Sequence, residues 1–495
     1  MLDLREFLEE LQQEGELNEI EKEVDWNLEL GAISSMANRT GAQAVHFKKI
    51  KGFSDEYSVA ANIFSGPGSH YPYKRSTWGR VAIGLELEKG IDYEGLIDTV
   101  IDRFYNPIFP MEVTTASCKE NVITGDDVDL RIFPFPLLHK GDGDSYITSG
   151  VLVTRDLDSD WHNWGVYRCM ILGKDEMVAD FLSEPSVSND TRLIYERYVK
   201  AGKPMPFALV LGGPPAIMMA AAMSVPENYS EVDFAGGLNL DPISLIKGET
   251  VDMFVPGEVE VVIEGEISHE DMAEEGPYGS VRGFTNSCMR PRMKVKAITH
   301  RNSPIIPMIV DGTKVCDTQV LISLCESARV TRICREDGQP IRWFQIPADW
   351  NLSIGVASAF NPAHGVVNRL AHHILGRIDL FDKLVIVDTD VFPTELHTVV
   401  QDWINKAHSR KDYHVINTGW PKAVAPYYRD EVPAEGAPRL YIDACWPAFW
   451  GPEERPTALV FETTFPRDLQ EKVVTRWKEE FDMPVEPVML PEGQR

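Results

Sequence analysis

Apolar residues recur with two different periods along this chain, and the change of period divides it. At the N-terminus Leu4, Phe7, Leu8 and Leu11 share one helical face, and Asp3 with Glu6 has capping-box spacing, so a folded helix is expected here, not a secretion signal. Residues 44–48 read as a short strand and residues 93–104 as a helix, giving a small α+β unit that ends where Pro107 and Pro110 break the pattern. Strand-like alternation dominates from about residue 118 to 300. There, residues 146–154 and 163–172 flank an Asp-rich turn at 156–160 as the arms of a hairpin, and a partly closed β-barrel is expected. Beyond about residue 303 strands and helices alternate. Residues 384–387 precede a helix with Leu396, Val399, Val400, Trp403 and Ile404 on one face, which is α/β construction. Pro466 suits the first turn of a last helix, whose Leu469, Val473, Trp477 and Phe481 form a stripe to be buried on this chain or on a partner. The pattern predicts four parts: 1–106, 107–302, 303–460, and a C-terminal helix and tail at 461–495.

Composition narrows the partners. With 495 residues the chain is long enough to bury a cofactor, and its 43% hydrophobic and 25% charged residues are ordinary for a globular protein. A net charge of -28 repels phosphate backbones and anionic lipid, so nucleic acid and membrane surfaces are poor partners, and an anionic substrate needs a locally positive pocket. The apolar run at 206–223 is interrupted by Gly212-Gly213-Pro214-Pro215, so no membrane span is expected. Seven cysteines without a C-x-x-C pair fit reduced thiols and a cytoplasmic protein.

Several segments can carry chemistry. The stretch from Phe133 to Tyr146 places His139, Asp142 and Asp144 on bent backbone before a strand, which suits a ligand-binding loop or a solvated turn equally. Asn163-Trp-Gly-Val-Tyr-Arg168 combines an amide, two aromatic rings and a guanidinium. Alternation puts Asn163 and Arg168 on opposite faces unless a bulge intervenes, and Arg168 needs an anion, whether an internal carboxylate or a substrate. Glu231 follows the small residues Ala220-Ala221-Ala222-Met223, whose carbonyls can approach a cation. Oxygen ligands suit K+, Mg2+ or Mn2+, although a solvated loop glutamate is commoner. In Glu274-Glu275-Gly-Pro-Tyr-Gly279 the adjacent charges favour a carboxyl that carries a proton, although paired glutamates before turns are commonplace. There is no Walker sequence, Gly141-Asp-Gly-Asp-Ser-Tyr lacks the last glycine of a dinucleotide fingerprint, and His372-His373 lacks the i, i+4 spacing of a zinc site.

Taken in order, Cys-Lys-Glu-Asn121, Phe-Pro-Phe-Pro-Leu-Leu-His-Lys-Gly-Asp-Gly-Asp-Ser-Tyr146, Asn-Trp-Gly-Val-Tyr-Arg168, Gly-Gly-Pro-Pro-Ala216, Ser-Glu231 and Glu-Gly-Pro-Tyr-Gly279 resemble the UbiD family of decarboxylases, nearest its ferulic acid decarboxylase-like branch. The resemblance implies a central split β-barrel of the flavin reductase-like kind, holding prenylated FMN and flanked by α/β domains, in a homodimer or hexamer. It implies Mn2+ or Mg2+ held by Asn163, Asp190 and Glu231, and K+ near the carbonyls of Ala221 and Met223. Gly165, Val166, Tyr167, Arg168, Leu321 and Arg377 would join these around the flavin, with Arg168 and Glu275 catalytic. The implied activity is reversible, non-oxidative decarboxylation of an aromatic, heteroaromatic or other α,β-unsaturated acid through a covalent prenylated-flavin adduct, with a flavin prenyltransferase supplying the cofactor. Loss of CO2 from an sp2 carbon needs such an external electron sink. Three positions depart from the family pattern: Ser280 stands where many relatives have a second acid, Asp190 where a metal-binding histidine is usual, and Arg377 where a lysine is common. Two other readings are a non-catalytic flavin-binding subunit of a carboxylase and a flavin reductase.

Overall fold

The computed structural model describes residues 1–66, 77–182, 190–225, 227–279, 283, 285–312, 315–361, 363–378, 380–391, 396–417, 438–456, 459 and 461–481; Ser280 lies outside them. Two compact units are found among the described residues, one of residues 1–66 and 77–326 and the other within residues 327–481.

The first unit opens on the helix Leu4–Gln13, where the Asp3 carboxylate accepts the Glu6 N–H at 2.9 Å and Leu4, Phe7, Leu8 and Leu11 are buried, as the spacing predicts. Four short strands follow in the order Leu17–Ile20, Ala44–Phe47, Ser58–Ala61 and Ile305–Met308. The last pairs in parallel with Ser58–Ala61, so the pattern change near residue 303 falls inside this unit. The helix Glu231–Asn239 lies against the chain that leaves the helix Tyr93–Tyr105. A Cβ at Gly236 would sit 2.1 Å from the Ile108 carbonyl oxygen, and one at Gly237 would sit 2.3 Å from that of Arg103. Only glycine allows this approach, which sets the position of Glu231.

The core of the unit is a nine-stranded sheet. Its main path runs Tyr146–Ile147, Cys169–Ile171, Glu176–Ala179, Thr285–His300, Val261–Gly279, Met205–Leu211, Gly150–Arg155 and His162–Val166, and Asn121–Thr124 pairs with Thr285–His300. Ile147 and Gly150 are three positions apart in sequence yet belong to opposite ends of this path. The sheet must therefore curl into a half-barrel. The predicted hairpin is present but not continuous: Gly150–Arg155 pairs with His162–Val166, whereas Tyr146–Ile147 pairs with Cys169–Ile171. The breaks at Thr148-Ser149 and Tyr167-Arg168 let each arm leave one edge of the curled sheet and join the other.

The second unit carries the expected α/β pattern. Its sheet runs Ile341–Gln345, Ile354–Ala359, Lys383–Val387, Pro438–Ala444 and Tyr413–Asn417, with parallel pairing in the centre and antiparallel pairing at both edges. On the helix Leu396–Lys406, Leu396 and Val399 are buried and Trp403 is partly so, but Ile404 is 71% exposed and does not belong to the packed face. On the helix Arg467–Glu479 the stripe is half covered in this chain: Val473 and Trp477 are partly buried, whereas Leu469 and the following Phe481 are exposed. Among the described residues no helix is long and apolar enough to cross a membrane.

Candidate active site

The strand His162–Val166 presents Asn163, Gly165 and Val166 to a cavity with about 810 Å³ of empty space, counted out to its open mouth. Tyr167, Asp190, Ala221, Met223, Glu231 and Leu321 line the same cavity. These residues come from the end of a strand, the starts of the helices Asp190–Ala201, Glu231–Asn239 and Asp317–Glu336, and the end of the helix Pro215–Ala221. Met218, Ile309 and Ile322 supply apolar wall, a mixture suited to a ligand largely withdrawn from water.

Burial dominates the acids of this cavity, although the charge of Arg197 pulls Asp190 the other way. Glu231 is 2% exposed and accepts the Trp164 N–H at 2.8 Å. Burial outweighs that hydrogen bond and pushes its carboxyl up to about 8. Asp190 is also buried and is pushed up to about 6, first by burial and then by the charge of Glu227. Among the described residues no Lys, Arg or His forms an ion pair with either. Asn163 donates to the Thr191 hydroxyl at 2.7 Å, which leaves its amide oxygen as an acceptor toward a cation. Two carboxylates and an amide oxygen without a cation form a hard-oxygen donor set that fits Mn2+ or Mg2+.

One residue further along the chain the arrangement reverses. Arg168 donates through Nε to Glu275 Oε1 at 2.9 Å and through Nη2 to Oε2 at 2.8 Å, and the same Nη2 lies 2.8 Å from Asp180 Oδ2. Burial works against the guanidinium's charge, but Glu275 and Asp180 together outweigh it and hold Arg168 firmly protonated. Its Nη1 has no hydrogen-bond partner among the described residues. Glu275 is fully buried and also accepts from the Tyr146 hydroxyl at 3.1 Å and from the Cys288 thiol at 3.5 Å. A register shift between Glu275 and Tyr278 in the long antiparallel pair lets both reach Arg168, whose guanidinium stands 5.0 Å from the centre of the Tyr278 ring. Behind this ring the Tyr278 hydroxyl donates to Asp311, and His139 bonds the Asp311 carbonyl at 3.2 Å. The Asp142 hydrogen bond raises the proton affinity of His139. A Cβ at Gly143 would lie 2.3 Å from the Gly276 carbonyl oxygen, so glycine lets the bent 133–146 segment meet the Glu275 turn. Asp180, Glu275 and Cys288 approach closely enough to hold a metal. The guanidinium groups of Arg168 and Arg290 already balance both carboxylates, however, and burial pushes the Cys288 thiol up to about 12.

Arg377 belongs to the second unit, where it donates to Asp337 at 3.1 Å, and it is absent from the cavity lining. Sequence reasoning missed Asp180, Arg290, Asp311 and the apolar wall. For Asp180 a signal existed: the hairpin that pairs Ala179 with Cys169 brings the next residue beside Arg168.

A cavity lined by buried acids, with an arginine one residue past its lining that has a donor nitrogen unpaired among the described residues, suits binding of an anionic ligand together with a cation. Two family profiles match this chain: the 3-octaprenyl-4-hydroxybenzoate carboxy-lyase N-terminal domain over residues 8–100 and the Rift-related domain of the same family over residues 111–314. The chain is 30% identical to a pyrrole-2-carboxylic acid decarboxylase of Pseudomonas aeruginosa, covering 97% of this chain and 98% of the relative. It is 31% identical to ferulic acid decarboxylase 1 of Saccharomyces cerevisiae, covering 69% and 68%. Its fold matches an evolved dimeric form of the UbiD-class enzyme HmfF of Pelotomaculum thermopropionicum, solved in complex with prFMN, at a TM-score of 0.79 and 23% identity over 94% of this chain and 99% of the other. The chain belongs to the UbiD family and is a carboxy-lyase.

Proposed function

We propose that this carboxy-lyase decarboxylates an aromatic or heteroaromatic acid, with prenylated FMN in the cavity and a metal-phosphate cluster at its uncompensated acids. The observation that carries the reading is the pairing of that cavity with the Arg168–Glu275 clamp. Asn163, Asp190 and Glu231 would hold Mn2+ or Mg2+, and the carbonyls near Ala221 and Met223 would hold K+. Gly165, Val166, Tyr167 and Leu321 would face the flavin. The curled sheet would play the part of a flavin reductase-like split barrel.

When bound, prenylated FMN supplies the electron sink that a carbanion on an sp2 carbon lacks. The remaining work falls to side chains of this chain. Met218, Ile309 and Leu321 keep water from the reacting carbon. Arg168 offers Nη1 to the substrate carboxylate. Glu275, held as a carboxylate by Arg168 and Tyr146, would relay a proton taken up from solvent to the carbon that CO2 leaves. The pyrrole-2-carboxylic acid decarboxylase likeness favours a small heteroaromatic acid first. The half-covered stripe on the last helix fits a homodimer or a larger homo-oligomer, which light scattering would size.

The test is coproduction with a flavin prenyltransferase, identification of the released ligand by mass and absorption, and a CO2-release screen that begins with pyrrole-2-carboxylate and continues through benzoic and polycyclic acids. Prenylated FMN with CO2 release supports the reading. Folded, metal-supplied protein without that ligand overturns it.

A further inference from the structure

Asp180 follows the strand Glu176–Ala179 and, like Glu275, lies against Arg168, yet the reaction just described gives it no task. Its Oδ1 accepts from Arg290 Nε at 2.7 Å and stands 2.6 Å from Arg290 Nη2, while Oδ2 stands 2.8 Å from Arg168 Nη2. Glu275, Arg168, Asp180 and Arg290 thus alternate in sign and sum to zero charge, and all four side chains are at most 15% exposed. Within the chain two carboxylates share the Arg168 guanidinium.

We propose that Asp180 is a positioning residue that, together with Glu275, keeps Arg168 a weak holder of the substrate carboxylate. This rests on the reading above, in which Arg168 receives that group. When CO2 leaves, the bond between the carboxyl carbon and its neighbour breaks, the electron pair stays on the substrate carbon, and the carboxylate departs as a neutral molecule. A cation that grips the carboxylate strongly stabilises the starting state more than the transition state and slows the step. An arginine already balanced by two acids can aim the carboxylate through Nη1 without anchoring its charge. Arg290 holds Asp180 in place and keeps the cluster neutral.

The experiment measures benzoate binding to the flavin-loaded protein by calorimetric titration, which needs no turnover. It is paired with steady-state kinetics on whichever acid the wild type accepts. Asp180→Asn should bind benzoate about tenfold more tightly. It should also lower kcat and KM together, each by about tenfold, the pattern of a substrate held too firmly. Arg290→Met, which removes a positive charge and frees Asp180 for Arg168, should weaken benzoate binding. An Asp180→Asn protein with normal flavin content and unchanged or weaker benzoate affinity overturns the proposal, as does a fall in kcat with KM unchanged or raised. If Asp180→Asn fails to fold, Asp180→Ser carries the same titration with the same two outcomes. Should the wild type release CO2 while the variants show no tightening, only the role of Asp180 falls. If the wild type neither binds benzoate nor decarboxylates any acid, the functional reading falls and this inference falls with it.

Discussion

Two sets of buried acids adjoin on one stretch of chain and are treated in opposite ways. Asp190 and Glu231 face the cavity with no ion-pair partner among the described residues, and burial raises both, whereas Glu275, Arg168, Asp180 and Arg290 form a chain of alternating charge. An uncompensated acid is costly to keep, so the first set stores a demand for something from outside the chain. The second has met its demand and, among the described residues, leaves Arg168 Nη1 unpaired. Under the proposed function, the contrast would separate a place to hold a cofactor's charge from a place to do chemistry.

Mutating the paired side should have the largest effect. Glu275→Gln keeps size and one acceptor oxygen toward Arg168, so fold and flavin content should survive while CO2 release falls by about 10²- to 10⁴-fold. Loss of flavin in that variant would instead give Glu275 a structural role. Arg168→Ala leaves two buried carboxylates short of their cation, and breaking such a pair costs about 3–5 kcal/mol. Denaturation should register that loss alongside lost flavin and turnover, and normal turnover would remove Arg168 from the site. On the unpaired side, Glu231→Gln should weaken Mn2+ binding by about tenfold or more, measured by titration of flavin-free protein. The smallest effect concerns pH. With its carboxyl raised from 4.5 to about 8, Glu231 contributes stability that is complete below about pH 4.5 and is lost as pH rises through 8. Metal-free protein should therefore lose part of its melting temperature between pH 5 and 8.5, and Glu231→Gln should flatten that part of the curve; identical curves would mean that this acid is compensated in solution.

How much was legible in the sequence follows from the range of the interactions involved. The first helix was readable because Asp3 and its four apolar partners lie within three turns, and the cavity residues were readable because they cluster in short, distinctive motifs. The curl of the sheet was not. It depends on breaks at Thr148-Ser149 and Tyr167-Arg168, which contain neither Gly nor Pro, and on pairing between opposite ends of the sheet. The strand Ile305–Met308 was hidden for a related reason, since it pairs with Ser58–Ala61, far earlier in the chain. Ile404 fits the helical period but lies at the edge of the packed face, where periodicity and burial part company. Asp180 gains meaning only once hairpin register places it beside Arg168.

The stretch from Asn163 to Arg168 behaves as a ruler. It begins on the strand that faces the cavity and ends past the break, at the clamp, so its length determines which end meets which partner. Substitutions within it change the chemistry one group at a time. Inserting or deleting a single residue would rotate one end relative to the other and uncouple both centres at once, whereas a substitution disturbs only the centre that its side chain serves.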